Sequence, residues 1–340
     1  MSKQYVNHHY VPQVYIRRFC VNMQGQEKVW AFDRNMLVRD TPTTFRSYAP
    51  KQICHEEHLY KFRNDAVTSM YGINDKNIVE KESFKGYEND MRRIIDSVDQ
   101  QTVVINERFV PIDDARILIK TLLNMKKRNP YMVNDDKTNQ ETVRRTNDLL
   151  IKDLEENREV WEARLATEGR KLDDAISQMM EIMAKEGFSE DMHRLSLYLE
   201  GIGSEDVIVP QLADFLLKKK WSIQETSITN LFITSDNPGF SINKELELFN
   251  VNFIEDSMFI FPLSPYRTLY INTSQDDVDS DLEVDKRVTY SQAGDELVQT
   301  VNRCTLGNCN QFIYSSSQIA LVNTIRNWKD LFGSDPCFPK

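Results

Sequence analysis

Glu80-Lys81-Glu82-Ser83-Phe84-Lys85-Gly86-Tyr87-Glu88-Asn89-Asp90-Met91-Arg92-Arg93-Ile94-Ile95-Asp96-Ser97-Val98 is the stretch on which the fold turns. Phe84, Tyr87, Met91, Ile94, Ile95 and Val98 recur every three or four residues, the spacing of one helical face. The pattern predicts a helix of about six turns starting near Asn77. Before it the chain reads as strands, and after Val207 a helix around Leu212–Leu217 gives way to strands again. The expected class is therefore α+β, with N- and C-terminal antiparallel β regions around a long helical insertion. Three segments follow: residues 1–76 and 221–340 as the β-rich parts of one core, and residues 77–220 as the helical region.

Upstream, Val29-Trp30-Ala31-Phe32, Thr43-Thr44-Phe45 and His58-Leu59-Tyr60-Lys61-Phe62 are β-prone pieces punctuated by Gly25, Asp33-Arg34-Asn35 and Pro42, which suits a small meander. Downstream, Pro111 with Asp113 and Asp114 marks a second helix start, and Pro130 ends it. Residues 139–186 are charged and free of proline. Leu154, Trp161, Leu165, Leu172, Ile176, Met179 and Met183 form a stripe that suits an antiparallel helix pair broken near Gly169. A further helix covers Leu212 to Leu217. Ser222–Thr226 and Leu231–Thr234 are expected to pair across Asn230, and Met258–Phe261, Thr268–Ile271 and Phe312–Ser315 continue the β character. The acidic stretch 275–285 reads as an exposed loop.

With 340 residues, 40% hydrophobic and 28% charged, the chain has the composition of a folded protein with a substantial core. No apolar run approaches the roughly 20 residues that span a bilayer, and the first residues show no leader pattern. A cytoplasmic protein without membrane partners is expected. The five scattered cysteines argue for reduced thiols. A net charge of −10 works against sequence-independent duplex binding. The basic clusters Arg17-Arg18, Arg92-Arg93, Lys126-Lys127-Arg128 and Lys218-Lys219-Lys220 read as solvated faces. There is no glycine-rich phosphate loop or nucleophile elbow, and only 11 glycines, so no dinucleotide cofactor is expected.

Chemistry-bearing residues gather in three places. His8-His9-Tyr10-Val11-Pro12-Gln13 and Thr234-Ser235-Asp236-Asn237-Pro238 each set reactive side chains beside a stiffening proline. His8 and His9 must point apart, so one faces a site and the other meets solvent. Glu80, Phe84 and Glu88 are spaced by four residues, which puts both carboxylates on one strip of the expected helix. Buried carboxylates need partners, and His8, His9, Arg128 or an ion are the candidates. A hydrolytic site follows: His8 or His9, Arg128 and Asp236 as catalytic groups, and Glu80, Glu88 and Asp236 as ligands of magnesium or manganese. Cys54-His55-Glu56-Glu57-His58 with Cys304 and Cys309 lacks the spacing of common zinc modules, so zinc is not expected.

The run His8-His9-Tyr10-Val11-Pro12-Gln13-Val14-Tyr15-Ile16-Arg17-Arg18-Phe19 resembles the opening motif of domain-of-unknown-function family 4238, His-x-Val-Pro-x-x-Tyr-Leu-x-x-Phe, with Ile16 in place of the leucine. Val29–Asp33 resembles that family's first strand, and Glu80-Lys81 with Glu88 its paired-glutamate helix. Arg128-Asn129-Pro130 is similar to its Arg-x-Pro step. Ile233–Pro238, Phe261–Pro265 and Asn302–Ser316 resemble its later motifs. The likeness spans nearly the whole chain, with a more acidic and elongated insertion around 139–200. It implies a largely bacterial family without a settled activity, and an effector role in a defence (antiviral) or toxin module.

Two function classes stand. One is a metal-dependent hydrolase of the phosphodiester class, nuclease-like, with nucleic acid or a nucleotide as substrate. The other is a non-catalytic protein-binding or regulatory module. There the His, Glu, Arg and Asp residues form a structural ion-pair network and the helical insertion holds a protein partner. A nucleic-acid binder without chemistry fits the charge worst.

Overall fold

The computed structural model describes residues 7–38, 44–83, 85–99, 106–133, 152–167, 169, 171–183, 187–202, 208–245, 247–250, 253, 256–277 and 284–334. The chain forms two compact units, each discontinuous in sequence. The larger comprises Asn7–Glu57, Lys85–Asn129 and Glu205–Lys340, and the smaller Met1–Val6, His58–Phe84 and Pro130–Ser204. These borders differ from a division at 76 and 220.

Among its described residues the larger unit holds three β-sheets. Strands β1 (Asn7–His9) and β5 (His55–Glu57) form a short antiparallel pair. A second sheet joins the two ends of the chain. In it β2 (Val21–Met23), β3 (Gln26–Asp33), β14 (Phe312–Ser315) and β8 (Thr234–Ser235) lie in that order, and β4 (Arg46–Tyr48) pairs with β3. The third ladder has seven strands in the order β10 (Leu248–Phe249), β9 (Phe240–Asn243), β11 (Ser257–Ser264), β12 (Arg267–Asp276), β7 (Lys219–Glu225), β13 (Lys286–Gln292) and β6 (Glu107–Val110). All its pairings are antiparallel except β7 with β13.

The strands form where β-branched and aromatic residues alternate or run together. Phe259, Phe261 and Leu263 of β11 and Leu269 and Ile271 of β12 join one core with Trp221 and Ile223 of β7. The helices Lys85–Asp99, Ile112–Lys127 and Ile208–Leu217 contribute Met91, Ile94, Ile119, Leu122 and Leu216 to that same core. A second cluster, centred on Trp328, Leu321, Ile313 and Phe32, lies where Gln318–Phe332 meets the mixed-end sheet.

The smaller unit is helical. Among the described residues its helices are Asp65–Met70, Ile78–Glu82, Pro130–Val133, Arg158–Ala166, Leu172–Met183 and Phe188–Gly201. Asp191 is its anchor. One carboxylate oxygen accepts from the N–H groups of Arg63 (2.8 Å) and Asn64 (2.5 Å), and the other meets the Arg194 guanidinium at 2.5 Å. Arg194 also donates to the Leu59 carbonyl at 3.0 Å. Both side chains are fully buried, so each charge depends on the other.

Several expectations change. The long helix from Asn77 is two helices, Ile78–Glu82 and Lys85–Asp99. Ser83 is pressed against Gly201, where an added Cβ would lie 2.3 Å from the Ser83 Cα. Phe84 lies outside the described residues, as do the side chains of Tyr87, Glu88 and Met179 and the stretch 139–151. Thr43 lies outside the described residues, Thr44 and Phe45 precede β4 without joining a strand, and His58–Phe62 follows a strand rather than forming one, His58 itself being left-handed at φ 56°. Residues 231–233 are not strand, and β7 pairs with β12 and β13 rather than across Asn230. The C-terminal part also carries two helices, Asp295–Asn308 and Gln318–Phe332. The break near Gly169 is present, at φ 72° between Arg158–Ala166 and Leu172–Met183. Among the described residues no helix is long and apolar enough to cross a membrane.

Candidate functional site

The β1–β5 ladder sets the geometry. His8 stands opposite Glu56 and His9 opposite His55, so His9 and His55 share one face. Their ring centroids are 5.5 Å apart, tilted by 56°. The ladder continues through the Tyr10 N–H, which donates to the Cys54 carbonyl at 3.0 Å. Pro12, extended at ψ 136°, then opens the helix Gln13–Ile16, whose first residue turns its carboxamide back to His9 Nε2 at 3.2 Å.

His9 is half-buried, and its ring hydrogen-bonds the main chain at Lys51. Burial first, then the positive neighbours His55 and Arg128, push its pKa down to about 4. The ring is therefore neutral near neutral pH, with Nε2 facing the Gln13 amide as an acceptor. His55 buries its Nδ1 without a hydrogen-bond partner. His8 does not meet solvent: it is fully buried on the opposite face. Of the two histidines, His9 is the one that keeps partial exposure.

Four apolar or aromatic residues of the first run are core. Val11, Tyr15, Ile16 and Phe19 are all at 0% exposure. The Tyr15 hydroxyl donates to the Pro262 carbonyl at 2.7 Å and lies 2.7 Å from Thr234 Oγ1. One phenol thus joins the first run, Thr234-Ser235-Asp236-Asn237-Pro238 and Phe261-Pro262-Leu263-Ser264-Pro265. The Arg128-Asn129 step makes the same connection from the end of Ile112–Lys127. Arg128 donates to the His9 carbonyl at 2.5 Å, and Asn129 Nδ2 to the Asp236 carbonyl at 3.1 Å.

Asp236 is 2% exposed. Its Oδ1 accepts from the Asn310 N–H at 2.8 Å, and its Oδ2 from the N–H groups of Gln311 (2.8 Å) and Phe312 (2.9 Å). Burial raises its pKa to about 6, against the pull of those three donors. Both oxygens thus accept main-chain hydrogen bonds that close the turn before β14. Beside it Lys126, buried and with its pKa driven well down by that burial, donates to Asn237 Oδ1 (2.6 Å) and the Gly239 carbonyl (2.7 Å). Asn308 Nδ2 reaches the Asn237 and Gly239 carbonyls at 3.1 and 2.8 Å, and Asn310 Nδ2 reaches Asn129 Oδ1 at 2.6 Å. Cys54 contacts the Tyr314 hydroxyl at 3.7 Å, and burial followed by Asp236 pushes its thiol far up, which makes it a poor nucleophile.

The expected residues therefore divide. His8, His9, Arg128 and Asp236 belong to the larger unit, and hydrogen bonds tie Arg128 to His9 and its neighbour Asn129 to Asp236. Glu80 sits half-buried on Ile78–Glu82 of the smaller unit, and Glu88 on Lys85–Asp99, so one helical strip does not carry both. Among the described residues no group of three or more His, Cys, Asp or Glu is arranged to hold a metal ion. The sequence reading missed His55 as partner of His9, along with Gln13, Lys126 and the asparagines at 129, 237, 308 and 310. The Asn-rich closing segment was the available signal for the last group.

The fold and site define an α+β protein in which Arg128 and Asn129 link a histidine pair to a buried amide-and-carboxylate network. The chain belongs to the family described as protein of unknown function (DUF4238), which matches residues 7–318. Neither a curated protein nor a solved structure matches it.

Proposed function

We propose that the chain is a hydrolase of the phosphodiester class in which His9 and His55 transfer the protons. The observation that carries this reading is the imidazole pair at 5.5 Å, one ring held neutral and one with a buried nitrogen lacking a partner. With Gln13 turned away from Nε2, the neutral His9 imidazole can take a proton from an attacking water, and a protonated second imidazole can give one to the leaving oxygen. Gln13 and the Lys51 main chain orient His9, and the Arg128 guanidinium, held on the His9 carbonyl, adds positive charge behind it. Arg128 is 3% exposed, so it is a positioning residue for His9. A nucleic acid or nucleotide is the substrate class, and magnesium or manganese belongs to the reading as an ion tested alongside it. A cytoplasmic effector in a defence or toxin module is the setting, in keeping with free Cys20, Cys54, Cys304 and Cys309.

The test is turnover of bis(p-nitrophenyl) phosphate, single-stranded DNA and RNA, with manganese and with chelator. His9→Gln and His55→Gln should each lower the rate about 100-fold or more while leaving the fold intact. Wild-type inactivity on all three substrates, or full activity in both variants, would sink the proposal.

A second reading has its own support. Asp236, Lys126 and the surrounding asparagines satisfy one another as a structural network would, and Val160 (68% exposed) and Met180 (54%) stand out on the helices of the smaller unit. This is the protein-binding or regulatory module. It predicts that His9→Gln changes stability alone, with no catalytic signal to lose.

A further inference from the structure

A cleft of about 250 Å³ opens between Asp295–Asn308 and Gln318–Phe332, apart from the histidine pair. Five carboxamides line it, those of Asn230, Gln299, Asn302, Asn323 and Asn327, together with the Arg326 guanidinium. Two of the five are committed to the protein. Asn302 accepts from the Ile233 N–H at 3.0 Å and donates to the Leu231 carbonyl at 2.9 Å, while Asn230 donates to Asp295 at 3.1 Å. That leaves Gln299, Asn323 and Asn327 to face the cleft. Thr324, also in the lining, donates its hydroxyl proton to the Ala320 carbonyl at 2.8 Å and so presents only lone pairs.

This lining selects a ligand chemistry. None of the described lining residues is acidic, which disfavours a cation. Ala320 is the one apolar residue among them, which disfavours a lipid. A single guanidinium suits one anionic group rather than a polyanion. A carboxamide offers an acceptor and two donors in one plane, the set that makes a two-point contact with a nucleobase edge. Arg326 also borders a second cleft of about 310 Å³ lined by Phe45, Val322, Ile325, Lys329 and Asp330, so its guanidinium lies on the margin of both clefts. Guanidinium is well matched to phosphate oxygens.

We infer that this cleft binds a nucleoside monophosphate, the base edge on Gln299, Asn323 and Asn327 and the phosphate on Arg326. The site is separate from His9 and His55 and does not depend on catalysis there.

The experiment is calorimetric titration of the full chain with AMP, GMP, CMP and UMP, and then with the corresponding nucleosides. Asn323 and Arg326 are exposed, so Asn323→Ala and Arg326→Gln should fold, which thermal melting checks. At least one monophosphate should bind saturably. Arg326→Gln should weaken it about tenfold or more and leave the nucleoside unaffected, whereas Asn323→Ala should weaken both. His9→Gln should bind as the wild type does, even if the hydrolytic reading fails. The inference is overturned if no monophosphate binds, or if binding survives both cleft substitutions. It is equally overturned if binding is lost in His9→Gln instead.

Discussion

His9 and Asp236 are shifted in opposite directions by burial, because burial opposes whichever form is charged. His9 moves from an ordinary 6.5 to about 4, so between those values the unfolded chain binds more protons than the folded one. Its contribution is complete above the higher value and is lost as the pH falls towards 4. Asp236 moves from 3.8 to about 6, so across that window the folded chain binds more protons, and its contribution is lost as the pH rises. In the wild type the two slopes oppose each other. His9→Gln should therefore show stability falling between about pH 4.5 and about pH 6, and Asp236→Asn should show it rising. Urea midpoints at the two pH values decide this, and equal slopes in all three proteins would refute it. Asp236→Asn should also lose about 3 kcal/mol or more overall, since its amide nitrogen would confront main-chain N–H donors that now have an acceptor. The identity of both residues as special was legible in the sequence. Asp236's commitment to Asn310, Gln311 and Phe312 was not, because those donors lie more than seventy residues away in sequence.

Elements built on long apolar runs were legible, and those built on three residues were not. The β7, β11, β12 and β14 runs announce themselves by Trp221, Ile223, Phe259, Phe261, Leu269 and Ile313, which can hardly sit elsewhere than in a core. The three-residue strands β1 and β5 carry histidine, glutamate and asparagine and exist because Tyr10 and Cys54 hold them together. Asp295–Asn308 was missed because Asn302, Cys304 and Thr305 share its buried face with Val298, Val301 and Leu306 and blur the apolar period. The contacts between elements rest on small details. Tyr15 joins Gln13–Ile16 to β8 and β11 through one hydroxyl, so Tyr15→Phe should cost about 1–3 kcal/mol in denaturant unfolding while leaving the ring packing intact. An unchanged midpoint would show that the hydroxyl contributes nothing. Gly239 lies at φ 76°, and an added Cβ would come 2.3 Å from Phe261 Cδ2. Gly239→Ala should therefore destabilise by about 2 kcal/mol or more, through strain and overpacking together. A substitution tolerated without loss would mean that β9 and β11 can move apart.

At the scale of the whole molecule, the chain enters and leaves its two units repeatedly, and composition gives no sign of it. The pairing of β3 with β14 shows that the two ends share a sheet, as the strand–helix–strand reading expects. The borders near Glu57, Phe84, Asn129 and Ser204 were not legible, because Ile78–Glu82 and Lys85–Asp99 look like one amphipathic run while belonging to different units. Each unit nevertheless has its own internal fastening. In the smaller one, Asp191 holds the N–H groups of Arg63 and Asn64 and the Arg194 guanidinium, all within a buried setting. Asp191→Ala leaves an uncompensated buried guanidinium and should cost that unit about 3–5 kcal/mol. Tyr15→Phe acts on bonds wholly inside the larger unit. If the units unfold as separate cooperative blocks, calorimetry should resolve two transitions, with Asp191→Ala lowering one and Tyr15→Phe the other. Hydrogen exchange adds a local check: Asp191→Ala should speed exchange in Asp65–Met70 and Phe188–Gly201 and leave β11 and β12 protected. A single transition shifted by both substitutions, with exchange accelerated throughout, would instead mean that two cores with separate fastenings fold as one block.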